Sequence, residues 1–423
     1  MLVIRHLRQL MTCAGPAPRR GPAQRDAPIV VDGAIAADGE RIVFAGADAD
    51  LPPALRRTTG GGIDGREFSA VPGFVDAHTH ALFAGDRRSE LRRRLDGATY
   101  AEIAAEGGGI VATVRATRDA SEGDLVAAAR PGLSAMLAGG TTTAEIKSGY
   151  GLDLANELKM LRAIRRLDAS QPIDLVPTFM GAHEIPVEYR ERRDEYVRLV
   201  IDEMIPAVAR ERLASWCDVF CETGVFTPAE SRRILEAGKA SGLAPRIHAD
   251  ELGASGGSLI AAAVGARSAD HLIFVPEEGI RAMRDAGVVA TLLPAAAFYL
   301  KLGRFAPARA LIDAGVPVAI ATDVNPGGGF SPSMPFIIAL ACFGMGLTFE
   351  ESLAAATING AYSLDCSDSV GSLEPGKLMD AVLVRGDAVD LIRIGSPVVA
   401  AVFKRGEPVV GASALASRFS DAL

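Results

Sequence analysis

The sequence predicts an α/β chain: a (β/α)8, TIM-like barrel carrying a small β-sandwich domain assembled from both chain ends. Three observations carry that prediction. From about residue 71, short β-branched runs alternate with amphipathic helical stretches. Eight such runs fall within about 250 residues, the length such a barrel needs. Both ends of the chain read instead as strand, turn and strand. At 423 residues, 49% hydrophobic and 23% charged, the chain is too long for one small core and too apolar for disorder.

Taken in order, GPAPRRGPAQRD (15–26) reads as an exposed loop, and PIVVDGAIAADGERIVFAG (28–46) as two strands around an Asp-Gly turn. The barrel strands follow as FVDAHTH (74–80), TTTAEIKS (141–148), IDLVPTFMG (173–181) and CDVFCE (217–222). They continue as PRIHAD (245–250), SADHL (268–272), VVATLLP (288–294) and VPVAIATD (316–323). Between them 154–167, 228–242 and 276–287 have helical periodicity, and strands alternating with helices imply right-handed crossovers and a parallel sheet. Residues 379–410 return to a strand-turn-strand pattern. The division expected is 1–70 and 366–423 as the two parts of one β-domain, with 71–365 as the barrel. A doubly wound open sheet is disfavoured because no G-x-G-x-x-G follows a strand.

Composition narrows the function. No run of about 18 uncharged apolar residues occurs, so no membrane span is expected. The opening MLVIRHLRQLMTCAG is interrupted by Arg5, His6, Arg8 and Gln9 and makes a poor export signal. Five scattered cysteines without paired spacing suit a reducing compartment, so the cytoplasm is expected. A net charge of -8, from 44 basic and 52 acidic residues, argues against nucleic acid and leaves a small-molecule partner.

The histidines carry the chemistry. Of six, only His6 lies outside the barrel pattern; His78 and His80 end the first strand, His183 follows the third, His248 ends the fifth and His271 the sixth. Barrel active sites form at the C-terminal ends of strands, so five imidazoles should converge on one mouth. Residues i and i+2 of a strand share a face, which makes His78 and His80 a usable metal pair. His248 and Asp323, at the end of the eighth strand, complete a His3Asp set suited to one Zn or Fe ion, divalent or trivalent. Such an ion lowers the pKa of bound water to about 7, which implies metal-assisted hydrolysis. His271 and Glu251, together with Asp323, are the groups placed to move protons or polarise a carbonyl; the lesser alternative for His271 and Glu251 is that they orient ligands.

VDAHTH, the later strand-terminal histidines, ATD at strand eight and GSLEPGKLMDAVLV near the C-terminus resemble the amidohydrolase superfamily. Within it, HTHALFAGDRRSEL, EGGGIVATVRATRDAS, EIKSGYGLD, FMGAHEIPVEY, HADELGASGG, SADHL and DVNPGG are similar to the imidazolonepropionase family. That resemblance implies hydrolytic opening of 4-imidazolone-5-propanoate to N-formimidoyl-L-glutamate in histidine degradation, and a possible homodimer. It implies His78, His80, His248 and Asp323 as metal ligands, and Arg87, Tyr150, His183, Glu251, Asn325 and Gly327 as substrate contacts. Arg87 suits the propionate, because a guanidinium meets a carboxylate with two parallel hydrogen bonds. Tyr150, between two glycines, sits on a mobile or tightly turned loop, and Asn325 reads as a turn residue or a contact. Arg88, Arg92, Arg93 and Arg94 read as surface residues. The chain departs from the family at Gly328, where Ser or Thr is usual, so only backbone groups are left for contact there. The fourth strand has no lysine to be carboxylated, so one metal is expected; Lys147 ends the second strand instead. Two competing readings are a mononuclear deaminase of guanine or a related heterocycle, which would not need Arg87 and Tyr150, and a non-catalytic scaffold, which would lack metal ligands.

Overall fold

The structure, a computed structural model, describes residues 1–56, 62–98, 102–103, 107–416 and 419–420, so Glu106 of the EGGG stretch lies outside it. Eight parallel strands run in order around the sheet: β1 (Phe74–Asp76), β2 (Thr141–Lys147), β3 (Asp174–Ala182), β4 (Trp216–Cys221), β5 (Ala244–Ala249), β6 (Ser268–His271), β7 (Val289–Leu292) and β8 (Val318–Ile320). Each pairs only with its sequence neighbours. The seam between β8 and β1 is closed beyond their ends: Asp323 N donates to His78 O at 3.0 Å and His80 N to Val324 O at 2.9 Å. Below these, the Asp76 carboxylate accepts from Thr322 N at 2.9 Å and Thr322 Oγ1 at 2.6 Å. The first and last strands are therefore shorter than expected, stopping at Asp76 and Ile320, because the backbone past them leaves the ladder to carry side chains at the mouth.

The helices begin where local chemistry satisfies their free N–H groups. α1 (Arg88–Leu95) follows Arg87; α2 (Leu154–Asp168) is capped by the Asp153 side chain. α3 (Pro228–Ala240) starts on a Thr227–Glu230 capping box with Pro at its first position, and α4 (Glu277–Ala286) ends on left-handed Gly287. Strand alternation sorts the two faces: Ala144, Ile146, Ile247 and Ala269 join the apolar core under the helices. Their neighbours Glu145, Lys147, Arg246, Ser268 and Asp270 are fully buried and are joined by hydrogen bonds and, at Arg246, by ion pairs. An ionic layer thus occupies barrel interior that is usually branched aliphatic.

Both chain ends form one nine-stranded sheet, the form taken by the expected β-sandwich. Its main path runs through 407–410, 399–404, 381–385, 68–72, 2–11, 29–38 and 41–47. It has its own core, including Ile4, Leu7, Ile35, Phe68, Leu383 and Phe403. The segment 15–26 is largely exposed, as expected, but it is pinned to the barrel at two side chains. Arg19 and Gln24 are buried, and the Gln24 amide pairs with both N and O of Val318 at the start of β8, at 3.1 Å each. A chain that must satisfy the backbone of a short edge strand uses a side-chain amide for it. Among the described residues no helix is long and apolar enough to cross a membrane.

Candidate active site and metal centre

Five imidazoles converge at the C-terminal mouth of the barrel. Ring centroids lie 4.5 Å apart for His78 and His248, 5.4 Å for His78 and His80, 5.2 Å for His248 and His271, and 4.8 Å for the stacked rings of His80 and His183. His6 lies in the end sheet, 2.9 Å from Asp32. His78, His80, His248, His271 and Asp323 are all buried.

The donor atoms suit a cation. Asp270 Oδ2 accepts from His78 Nδ1 at 2.6 Å and Asp218 Oδ1 from His248 Nδ1 at 3.1 Å, so the proton of each ring is on Nδ1 and the Nε2 lone pair is bare. His248 Nε2 then faces His80 Nε2 at 3.2 Å, and His78 Nε2 is buried without a hydrogen-bond partner. Asp323 Oδ1 is 3.6 Å from His78 Nε2 and 3.8 Å from His80 Nε2. Ligands about 2.0–2.1 Å from a tetrahedral ion stand about 3.3 Å apart, close to these edges. A bare, buried lone pair such as that of His78 Nε2 is costly unless a cation lies beside it. Burial first, then the surrounding imidazoles and Lys147, holds His78, His80 and His271 well below the usual histidine range, so they are neutral and fit to ligate. Burial also raises the Asp323 carboxyl well above its ordinary value, an effect that a bound cation opposes.

Backbone strain marks the same place. Asp250, His271, Leu272 and Asp323 have φ of +51°, +73°, +58° and +50°. Non-glycine residues there cost about 1–3 kcal/mol each and persist only when the surroundings impose them. The Asp323 N to His78 O bond and the Leu272 N to Ala249 O bond do so.

Glu251 lies beside His271, its Oε1 3.5 Å from Nδ1, and burial with the charge of Glu222 pushes it up to about 8. His183 donates from Nδ1 to Gly149 O at 2.9 Å, and burial drives it down to about 3. Tyr150 lies 5.2 Å from His183 and 5.9 Å from His80 between ring centroids. Its loop is the tightly turned alternative: the buried Glu157 carboxylate accepts from Gly149 N, Gly151 N and Leu152 N at 2.8 to 3.2 Å. Gly149, at φ +101°, has no room for a Cβ beside His183.

Arg87 is buried; its Nε donates to Glu90 Oε2 at 2.9 Å, and its Nη2 forms an ion pair with the same oxygen at 2.8 Å. Gly327 packs directly on this guanidinium, where a Cβ would collide with it. Asn325 is occupied by its own turn, accepting from Gly327 N and Gly328 N at 2.7 and 2.6 Å and donating to Asp323 O at 2.7 Å. Gly328 therefore directs its amide at Asn325. Arg94 is a correction: instead of a surface residue it is buried, donating to Gly327 O at 2.5 Å and lying over the Phe330 ring. Sequence reasoning also passed over Asp218, Asp270, Arg246, Glu90 and Glu157. A signal existed for Arg246 and Asp270: each is a charged residue inside a strand buried on both faces, in step with His248 and Ser268 at i, i+2.

Comparison with known proteins agrees with this geometry. The Amidohydrolase family model matches residues 69–410. An imidazolonepropionase of Geobacillus kaustophilus is 50% identical over 386 residues, covering 90% of this chain and 91% of the relative. One of Symbiobacterium thermophilum is 49% identical over 416 residues, 97% of each chain. Among solved structures, the fold is similar to atrazine chlorohydrolase TrzN of Arthrobacter aurescens complexed with zinc, at 19% identity and TM-score 0.71, over 97% of this chain and 95% of that one. Ochratoxinase of A. niger is similar at 18% identity and TM-score 0.69, over 97% and 96%. With that identity and coverage, the chain belongs to the amidohydrolase family and, within it, to the imidazolonepropionases.

Proposed function

We propose that the chain hydrolyses the ring C–N bond of 4-imidazolone-5-propanoate, giving N-formimidoyl-L-glutamate. The oxygen of water adds to the ring carbonyl carbon, the C–N bond breaks, and a proton goes to the released nitrogen. The observation that carries this reading is the bare Nε2 of His248, 3.2 Å from His80 Nε2, with Asp323 and His78 closing the same point, in a chain half identical to a named imidazolonepropionase. His78, His80, His248 and Asp323 would hold one Zn or Fe ion per subunit. Such an ion supplies Lewis acidity and a nucleophile at neutral pH.

The chain's own groups do the rest. Arg87 binds the propionate, with Glu90 holding the guanidinium and Gly327 giving it room. Tyr150 and His183 bound the ring, and the Asn325 turn shapes the wall at Gly327 and Gly328. Neutral His271 donates toward the oxygen that gains charge. Glu251, protonated below about 8, hands its proton to the leaving nitrogen. Five free cysteines support a cytoplasmic location. The imidazolonepropionase relatives favour neither the deaminase nor the scaffold reading.

The test is loss of 4-imidazolone-5-propanoate by the purified protein, before and after chelation, beside a metal assay. Turnover that vanishes with the metal and returns with Zn or Fe is the expected result. Metal without turnover would discard the substrate and keep the hydrolase class.

A further inference from the structure

Beneath the imidazoles, Lys147 is among the largest fully buried side chains. Its ammonium donates to Asp218 Oδ2 at 2.6 Å and Glu145 Oε1 at 2.7 Å, and lies 3.8 Å from Asp270 Oδ2. Asp218 and Asp270 are the two carboxylates that hold Nδ1 of His248 and His78. One cation on β2 therefore sits between carboxylates on β4 and β6, which aim the imidazoles of His248 on β5 and of His78 just past β1. Arg246 braces the same layer, donating to Ala77 O at 2.9 Å beside His78, with Nη2 3.6 Å from Asp270 Oδ2. Glu145, Asp218 and Asp270 against Lys147 and Arg246 are three negative charges and two positive ones.

We propose that Lys147 is the positioning residue of the metal centre: its ammonium ties Asp218 to Asp270 and so holds the Nε2 lone pairs of His248 and His78 on one point. The proposal rests on the metal reading above. Without the ammonium the two carboxylates, buried with like charge, move apart and release the rings they hold. Lys147 touches neither substrate nor metal in this scheme and acts wholly through the two aspartates. A lysine that only filled the barrel would leave the imidazole protons undisturbed.

The experiment measures Zn2+ affinity by competition with a chelator, together with the downfield Nδ1–H proton resonances of His78 and His248 in 15N-histidine-labelled protein. The variants are K147M and the charge-balanced pair K147M/E145Q, which removes one charge of each sign and so protects folding; E145Q alone is the reference for the pair. The expected result is a loss of zinc affinity of about 10- to 100-fold in K147M, and in the pair relative to E145Q, with both resonances shifted and exchanging faster with water. Either folded lysine-less variant binding zinc as its reference does, with both resonances in place, overturns the proposal. Failure of both lysine-less variants to fold also overturns it, since Lys147 would then be a requirement of the barrel. An unsubstituted protein that binds no zinc or iron overturns the metal reading itself, a separate result.

Discussion

Gly327 and Gly328 are neighbours with opposite constraints. A Cβ on Gly327 would enter the Arg87 guanidinium, whereas one on Gly328 meets nothing nearer than Leu300 at 3.6 Å. Gly327→Ala is expected to raise KM about tenfold, equivalent to about 1.4 kcal/mol of lost tail binding, with less effect on kcat. Gly328→Ser should leave the unfolding free energy within about 0.5 kcal/mol of the parent. Steady-state kinetics and a denaturant titration check the pair, and an unchanged KM in the alanine variant would remove Arg87 from the tail site. Glu251 makes a pH prediction. Its carboxyl is raised to about 8, so it keeps its proton below that value and loses it above. A step that needs that proton therefore slows as pH rises through 8, and Glu251→Gln should lower kcat by about 10²- to 10⁴-fold and abolish that alkaline limb. The position of Glu251 in HADEL, just past a strand-terminal histidine, is legible in the residues alone. Its raised pKa is not, because that comes from burial beside Glu222.

Among the elements, the Gly149–Leu152 loop and the Arg5 strand show how a single side chain holds a segment. Glu157 projects from the first turn of α2 and receives three loop amides. Glu157→Ala would strand those buried donors, costing on the order of 3 kcal/mol in unfolding free energy, with faster amide exchange at 149–152. In the end sheet, the Arg5 guanidinium meets Asp48 through two hydrogen bonds of 2.9 and 2.7 Å and holds its carboxyl below the ordinary range. A depressed carboxyl adds stability at neutral pH that is lost as pH falls through its folded value, below the usual carboxylate range. Arg5→Met should therefore flatten the acid limb of the stability profile, read from melts between pH 3 and pH 7. Strand and helix periods are legible in the sequence because each burial pattern repeats locally. The pinning of 15–26 is not, since Gln24 looks solvent-bound until Val318 is brought to it, as does the Arg19 backbone N–H until Asn359 is.

For the molecule as a whole, a cation at the mouth should stabilise the barrel that presents it. The ligands come from β5 and from the chain just beyond β1 and β8, so the ion would link the barrel seam to its far side. Binding to the folded state alone contributes about 4 kcal/mol when free metal is a thousandfold above its dissociation constant. Calorimetry of chelated protein should accordingly show a lower melting point that zinc restores; an unchanged melt would count against a ligand set contributed by the folded mouth.

Strand alternation and strand-end position are local properties of a chain, so the barrel, the five mouth histidines and Asp323 can be read from the order of residues. Motifs taken in sequence place the family as well. The support beneath the site is of another kind. Lys147 and Asp218 are separated by 71 residues, and His78 and Asp270 by 192. No local period links such residues, and their pairing arises only when the closed barrel turns alternate side chains of β2, β4, β5 and β6 into one dry interior, where each charge must find a partner.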